Sequence, residues 1–340
     1  MILTGRPFAG EDRRRLKEFL GRMGLSYGEG IEYSVCVLNQ AYEIIGTGSA
    51  DRNVLKCIAV HPEYQGEGIA AEILSELIQY EVEQNRPHIF IYTKPENEDL
   101  FCSMGFYEIL KTPEVLFLEN KKKGFQAFLE DLRRETVPEA LEAGEREGAV
   151  GAAVANCNPF TLGHRYLLEK ALESCQYLHL FLLSDDRSMF TPKERHLMVR
   201  EGIEGLPRVI LHWTSDYMVS AATFPTYFFK DKQQGQKANC RLDLELFGKR
   251  IAPALGITRR FVGTEPYCAV TNQYNQEMKR VLPSYGIQVR EIERKRLGEE
   301  AVSASKARAY LEQCDWEHLR ALVPEGVFQY VSRKKMSEKL

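Results

Sequence analysis

The chain has 340 residues, 44% hydrophobic and 27% charged, the balance of a globular protein with ordered cores and enough length for two domains. Forty-five basic against forty-eight acidic residues leave a net charge of −3, so no global basic excess is available for nucleic acid and any anion site must be local. Eight scattered cysteines, the nearest two being Cys157 and Cys175, exclude a CxxC zinc ribbon and a disulfide scaffold. The start lacks a basic-then-apolar signal pattern, and apolar runs such as YLHLFLL are strand-sized. The expectation is a reduced, cytoplasmic protein with no membrane and no nucleic-acid partner.

In chain order, residues 33–60 read as three strands, YSVCVL, AYEIIGTGSA and NVLKCIAV, rich in β-branched residues and broken by Asn, Gln and Gly. QGEGIAAEILSELIQYEVEQ follows as a glycine turn opening a helix, with apolar residues at 69, 73, 74, 77 and 78. HIFIYT reads as a strand, and EDLFCSM as a short helix that ends at Gly105. VLFLEN closes a first domain at 1–120. Residues 121–147 are charged and helical in pattern and read as a connector.

From 148 to 340 short apolar strands alternate with helices. GAVGAAVAN, YLHLFLLS, RVILHW, TRRFVG and GIQVREI are the strands, and helices are expected from RYLLEKALES, from PKERHLMVREGIEGL, around 241–255 and at 272–282. Apolar strands alternating with helices imply a parallel sheet covered on both faces, a Rossmann-like α/β domain.

The most informative segment is AVANCNPFTLGHRYLLEKA, 153–171, in which a buried strand runs through a loop straight into a helix. Unpaired amides and the helix dipole favour an anion at such a start. Asn158, Pro159, Phe160, Thr161 and Gly163 form the candidate nucleotide-binding loop, Gly163 allowing a close approach. His164 places a donor beside a bound phosphate. A helix-capping loop with a surface histidine is the competing reading. Late in the chain, VSASKARAYLEQ puts Ser303, Ser305, Lys306 and Arg308 at a second helix start, where hydroxyls, amides and cations suit outer phosphates. Here the alternative is a serine N-cap followed by exposed charge. Lys193 and Arg195 follow the second strand as further basic candidates, with solvated charge the alternative for Lys193.

The 161–164 segment has the T-x-G-H form of the H-x-G-H signature of the nucleotidyltransferase superfamily, and 302–308 resembles its second signature, I-S-x-T/S-x-x-R. The resemblance implies that His164 stabilises charge on the α-phosphate as pyrophosphate leaves, with Lys306 and Arg308 as catalytic cations. NCNPFTLGHRYLLEKA, ATFPTYFFK, VGTEPYCAVTNQYNQEMKRVLP and the REIERK–VSASKAR stretch together resemble the citrate lyase ligases. That resemblance implies an ATP-dependent ligase that activates acetate as acetyl-adenylate. It then acetylates the thiol of a dephospho-CoA-type prosthetic group on the acyl-carrier subunit of citrate lyase. Mg2+ is implied on the triphosphate, held by phosphates rather than by a protein ligand set. Gly263, Thr264, Glu265 and Pro266 follow a strand and are expected near the adenosine. Asp185 and Asp186 lie after another strand, where metal or ribose contact and a solvated turn both fit. Tyr217, Ser220 and Thr223 are open between an acetate or thiol pocket and core packing.

The first half carries CIAVHPEYQGEGIAAEIL, 57–74, which resembles motif A of the GNAT acetyltransferases. Gln65, Gly66, Gly68 and Ala70 open a helix whose amides suit the pyrophosphate of CoA. Asn97, Phe101, Gly105 and Phe106 form an N-x-x-x-F…GF stretch that resembles a later stretch of the family. A GNAT-like α/β domain is therefore expected ahead of the nucleotidyltransferase-like one. Glu67 and Glu98 form no clear general-base pair, which suits a binding module for the prosthetic group. A working acetyl-CoA-dependent N-acetyltransferase and a cofactor-synthesis adenylyltransferase remain the alternatives.

Overall fold

The computed structural model describes residues 1–28, 30–140, 149–184, 188–218, 227–229, 231–265, 269–298 and 300–337, with backbone alone at 232, 269 and 270. They group into two units, Met1–Gln126 with Phe224–Leu242, and Ala127–Thr223 with Asp243–Leu340. This differs from the boundaries expected at 120 and 148, because 224–242 groups with the first half and the connector from 127 onward with the second.

The first unit contains β1 (Ile2–Gly5), α1 (Gly10–Arg22), β2 (Tyr33–Leu38), β3 (Ile44–Asp51) and β4 (Val54–Val60). After these come α2 (Ile69–Glu83), β5 (Phe90–Thr93), α3 (Glu98–Ser103), β6 (Tyr107–Lys111) and β7 (Leu116–Glu119). The sheet runs β1-β2-β3-β4-β5-β7-β6, antiparallel throughout except at β4–β5. A parallel pair needs a crossover, and α2 supplies it. Ile69, Ile73, Leu74 and Leu77 recur at helical spacing and are all buried against the sheet. Residues 224–242 join this unit through chemistry that the local sequence does not announce. The Ser26 N–H donates to the Tyr227 carbonyl at 2.9 Å, and Arg241 pairs with Glu114 at 3.3 Å.

Helix α4 (Gly124–Glu135) starts in the first unit, and its later residues belong to the second. Phe128 and Leu132 are buried, and Phe128 stacks on Tyr217 at 4.8 Å. The charged stretch is thus one apolar stripe among polar neighbours, which is why it docks as a helix.

The second unit continues with β8 (Val150–Ala155), α5 (Leu162–Leu172), β9 (Tyr177–Leu182), α6 (Pro192–Gly202) and β10 (Val209–Trp213). Helix α7 (Lys232–Leu246) runs through a π turn, Phe247–Ile251, into a last turn, Ala252–Leu255. Then come β11 (Arg259–Gly263), α8 (Ala269–Val281), β12 (Gln288–Ile292) and the short hairpin β13 (Arg296–Leu297) and β14 (Glu300–Ala301). Helices α9 (Ala304–Gln313), α10 (Trp316–Leu322) and α11 (Glu325–Ser337) close the chain. All five sheet strands are parallel, in the order β10-β9-β8-β11-β12. Strand order reverses between β8 and β11, and in doubly wound sheets ligands bind at the carboxyl ends of the strands beside such a switch.

Candidate active site

Residues 156–164 connect β8 to α5 at that switch. Cys157 takes a left-handed backbone, φ 49°, and Asn158 accepts the Phe190 N–H through Oδ1 at 3.2 Å. Pro159 is buried, and Phe160 is completely so. The Phe160 ring fills the space beside Gly202, where an added Cβ would lie 2.2 Å from it. Phe160 is therefore a packing residue under the loop rather than a nucleotide contact. Its other face stacks on His164, centroids 5.5 Å apart.

Thr161 is the N-cap of α5 and His164 its capping-box partner. The histidine N–H donates to Thr161 Oγ1 at 3.4 Å, while Nδ1 receives the Thr161 N–H at 3.0 Å and lies 2.9 Å from Oγ1. An Nδ1 that accepts carries no proton, so the ring proton sits on Nε2. Burial of the ring, and secondarily the Arg294 guanidinium, lower the His164 pKa to about 4. At neutral pH His164 is thus an uncharged imidazole with one N–H donor, fixed in direction by the cap. The segment caps the helix, and the cap fixes the direction in which the Nε2–H points. Capping uses the His164 amide and leaves those of Leu162 and Gly163, which have no hydrogen-bond partner among the described residues.

The late motif packs directly on this loop. Arg308 Nη1 donates to the Asn158 carbonyl at 2.6 Å across 150 residues of sequence, and its other arm reaches Ser305 Oγ at 3.2 Å. A Cβ on Gly163 would come within 3.2 Å of the Val302 carbonyl. The glycine lets the backbone of the late motif approach there. Ser303 caps α9 by accepting the Lys306 N–H at 3.2 Å. The Lys306 ammonium pairs with exposed Glu300.

The third edge of the site comes from β11 and β12. The Thr264 N–H donates to the Ile292 carbonyl at 2.9 Å, and the Asn275 amide donates to the Gly263 carbonyl at 3.0 Å. An added Cβ at Gly263 would meet nothing within 4 Å, so space is open beside the strand end. Arg294, a single letter in the REIERK stretch, organises this edge. Its N–H donates to Thr264 Oγ1 at 3.3 Å, its Nε donates to the Thr264 carbonyl at 2.7 Å, and its guanidinium pairs with Glu265. Glu265 is thereby tied to a cation beside His164. A basic residue just past the last sheet strand is the signal by which Arg294 could be found.

Arg195 requires a correction. It has no exposure, and it donates to the carbonyls of Asn156, Leu183 and Phe190. It braces the loops after β8 and β9 from beneath and is no phosphate ligand. Lys193 is exposed, in keeping with solvated charge. Tyr217 is buried against Phe128, which makes it a core residue. Asp185, Asp186, Ser220, Thr223 and Pro266 lie outside the described residues.

In the first unit the segment from Gln65 to Ala70 opens α2 at the end of β4. Gly66 and Gly68 both have positive φ, 88° and 82°, with nothing within 4 Å of an added Cβ, so the turn is a left-handed one that faces open space. Gly68 is the N-cap and contributes no side chain, which leaves the turn's amides to solvent or ligand. Gln65 is exposed and donates to the Val60 carbonyl at 3.3 Å, and Ala70 lies in the first turn of α2. Glu67 is exposed, and Glu98 is paired with Lys111.

Two family models match, the citrate lyase ligase C-terminal domain over 150–331 and an acetyltransferase (GNAT) domain over 13–117. A citrate (pro-3S)-lyase ligase of Haemophilus influenzae is 40% identical over 327 residues, 94% of each chain. The ligase so named in Klebsiella pneumoniae is 38% identical over 331 residues, 96% of this chain and 94% of its own. That of Escherichia coli is 38% identical over 322 residues, covering 93% and 89%. A GNAT-like domain and a parallel-sheet domain thus follow one another in the chain, which belongs to the citrate lyase ligase family.

Proposed function

We propose that the second unit uses ATP to activate acetate as acetyl-adenylate, releasing pyrophosphate. The acetyl group then passes to the thiol of the dephospho-CoA-type prosthetic group on the acyl-carrier subunit of citrate lyase, in the cytoplasm. One observation carries this reading. Two helix starts are bolted together by Arg308 on Asn158, a pair 150 residues apart in sequence, at the carboxyl edge of a parallel sheet, around a histidine fixed as a neutral donor. Adenylation needs no protein nucleophile. It needs a carboxylate aligned on the α-phosphorus and donors for the charge that develops there.

The residues present fit a triphosphate. The free amides of Leu162 and Gly163 and the start of α5 hold phosphate oxygens. His164 Nε2–H serves the α-phosphate, and Lys306, exchanging Glu300 for phosphate, serves the outer ones. Arg308 acts by holding the loop, Ser303 by starting α9 and Ser305 by bracing Arg308. The open strand end at Gly263, Thr264 and Glu265 is assigned to adenosine. Mg2+ travels with the triphosphate, held by its phosphate oxygens. No described helix is long and apolar enough to cross a membrane. The first unit holds the prosthetic arm by its pyrophosphate at the Gly66–Gly68 turn.

Carboxylate-dependent ATP–pyrophosphate exchange tests the reading. Acetate should support exchange best, ahead of propionate and larger acids. Exchange without added carboxylate, or only with a phosphate ester, points to a cofactor adenylyltransferase and ends the ligase reading.

A further inference from the structure

Strands β4 and β5 pair only at Val54–Phe90 and Leu55–Ile91, although β4 runs on to Val60 and β5 to Thr93. The cause lies in β4, where Cys57 adopts φ 56° and the register against β3 shifts between Thr47 and Ser49. A bulge of this kind bends its strand and ends the pairing. Two strands that part leave facing backbone groups to be satisfied by something else. That something is Tyr227. Its hydroxyl donates to the Tyr92 carbonyl at 2.9 Å, and the Cys57 N–H lies beside the same hydroxyl. The residue is 8% exposed, and its own carbonyl accepts the Ser26 N–H at 2.9 Å and Ser26 Oγ at 3.3 Å. The Cys57 thiol in turn reaches the Ser26 carbonyl at 3.5 Å.

Helix α2 begins where β4 ends, so a ligand anchored at the Gly66–Gly68 turn sits at the mouth of this wedge. An acyl thioester laid between the strands would need the Tyr92 carbonyl and the Cys57 N–H as partners, and a phenol from far along the sequence already has them. We infer that Tyr227 is a built-in stopper that closes the acyl end of the cleft. The first unit therefore reads the pyrophosphate end of a CoA-type ligand and is blind to whether the thiol carries an acetyl group. The inference rests on the arm-binding reading only for what the turn holds.

The test is calorimetric titration of the full-length protein with CoA and with acetyl-CoA. Wild type should bind the two within about twofold of each other, and Tyr227→Ala should favour acetyl-CoA by about tenfold or more as the wedge opens. A wild type that prefers acetyl-CoA by that factor, or a folded Tyr227→Ala protein without preference, overturns the stopper. If wild type binds neither ligand, the arm-binding reading fails, and the gain or absence of acetyl-CoA binding in Tyr227→Ala still decides the stopper. Should that variant not fold, hydrogen exchange in wild type decides instead. Segments 54–60 and 90–93 should be protected equally by both ligands, and extra protection from the acetyl form overturns the inference.

Discussion

Each unit opens a helix just after a buried strand, and the two turns are built from opposite chemistry. Before α2 the turn is Gly66 and Gly68 at positive φ, with no side-chain cap. Before α5 it is Thr161 at φ −120° with a full capping box. A bare glycine turn offers amides that bind a pyrophosphate equally well throughout a reaction, which gives affinity without rate. A capped turn gives up some of its amides and gains an aimed donor. The Thr161–His164 box fixes both the tautomer and the direction of the imidazole, so its Nε2–H can favour a transition state. The proposed function assigns anchoring to one of these helix starts and catalysis to the other.

The largest expected effect follows from removing the aimed donor. His164→Ala should slow acetate-dependent exchange by roughly 10²–10³-fold with ATP affinity little changed, by analogy with lost oxyanion donors. Next comes Arg308→Ala, which strips the Asn158 carbonyl of its partner and should lower stability by about 1–3 kcal/mol. The Michaelis constant for ATP should rise with it, and lysine should not rescue either, because the two-armed contact to Asn158 and Ser305 needs a guanidinium. Thermal melting beside exchange kinetics reads both effects. Thr161→Ala removes the cap and should cost about 1 kcal/mol. It should also slow exchange, since the imidazole is then free to turn; a melting shift with unchanged exchange would show that the cap does not aim His164.

Acid sharpens the same point. His164 is held neutral, with its pKa lowered to about 4 by burial first and Arg294 second. His179 is lowered to about 3 by burial first and His212 second. Both are lowered from an ordinary value of 6.5, so below it the unfolded chain takes up protons that the folded chain refuses. Their contribution to stability is complete above pH 6.5 and is lost as pH falls toward 4 and then 3. Denaturant midpoints measured from pH 7.5 downward should therefore fall on the acid side, less steeply in a His164→Ala protein. For exchange, His164 itself should bring no loss until pH nears 4. A histidine-like fall in rate centred near 6.5 would mean that the ring is not held as described.

Much of this was legible in the residues and some was not, for physical reasons. Strands β8 and β9 read as apolar runs because both faces of the sheet are covered there, whereas edge strand β12 carries exposed Gln288, Arg290 and Glu291. The helix starts read correctly because Thr161 and Ser303 are capping residues whose role is local. Partners far along the chain do not show. Gly163 signals close approach, yet nothing near it names the Val302 carbonyl. Arg195 reads as a basic candidate for the site, and the carbonyls of Asn156, Leu183 and Phe190 that make its burial tolerable do not show in its local sequence. Tyr227 stands in an aromatic stretch that reads as any core, and its place beside Tyr92 depends on a bulge at Cys57. Residues 1–32 raise little expectation because α1 buries only Leu16, Phe19 and Leu20 among charged neighbours.

The central claim is that adenylation belongs to the capped turn and arm-holding to the glycine turn. It is tested most directly by measuring acetate-dependent exchange and acetyl transfer to the carrier thiol side by side in His164→Ala and Gly68→Val, both checked for folding. The account expects His164→Ala to lose exchange and transfer together, by at least about 100-fold. Gly68→Val, strained at φ 82°, should keep exchange within about twofold while transfer falls about tenfold or more. A Gly68→Val protein that loses exchange as deeply as transfer, or a His164→Ala protein that keeps exchange, would contradict it.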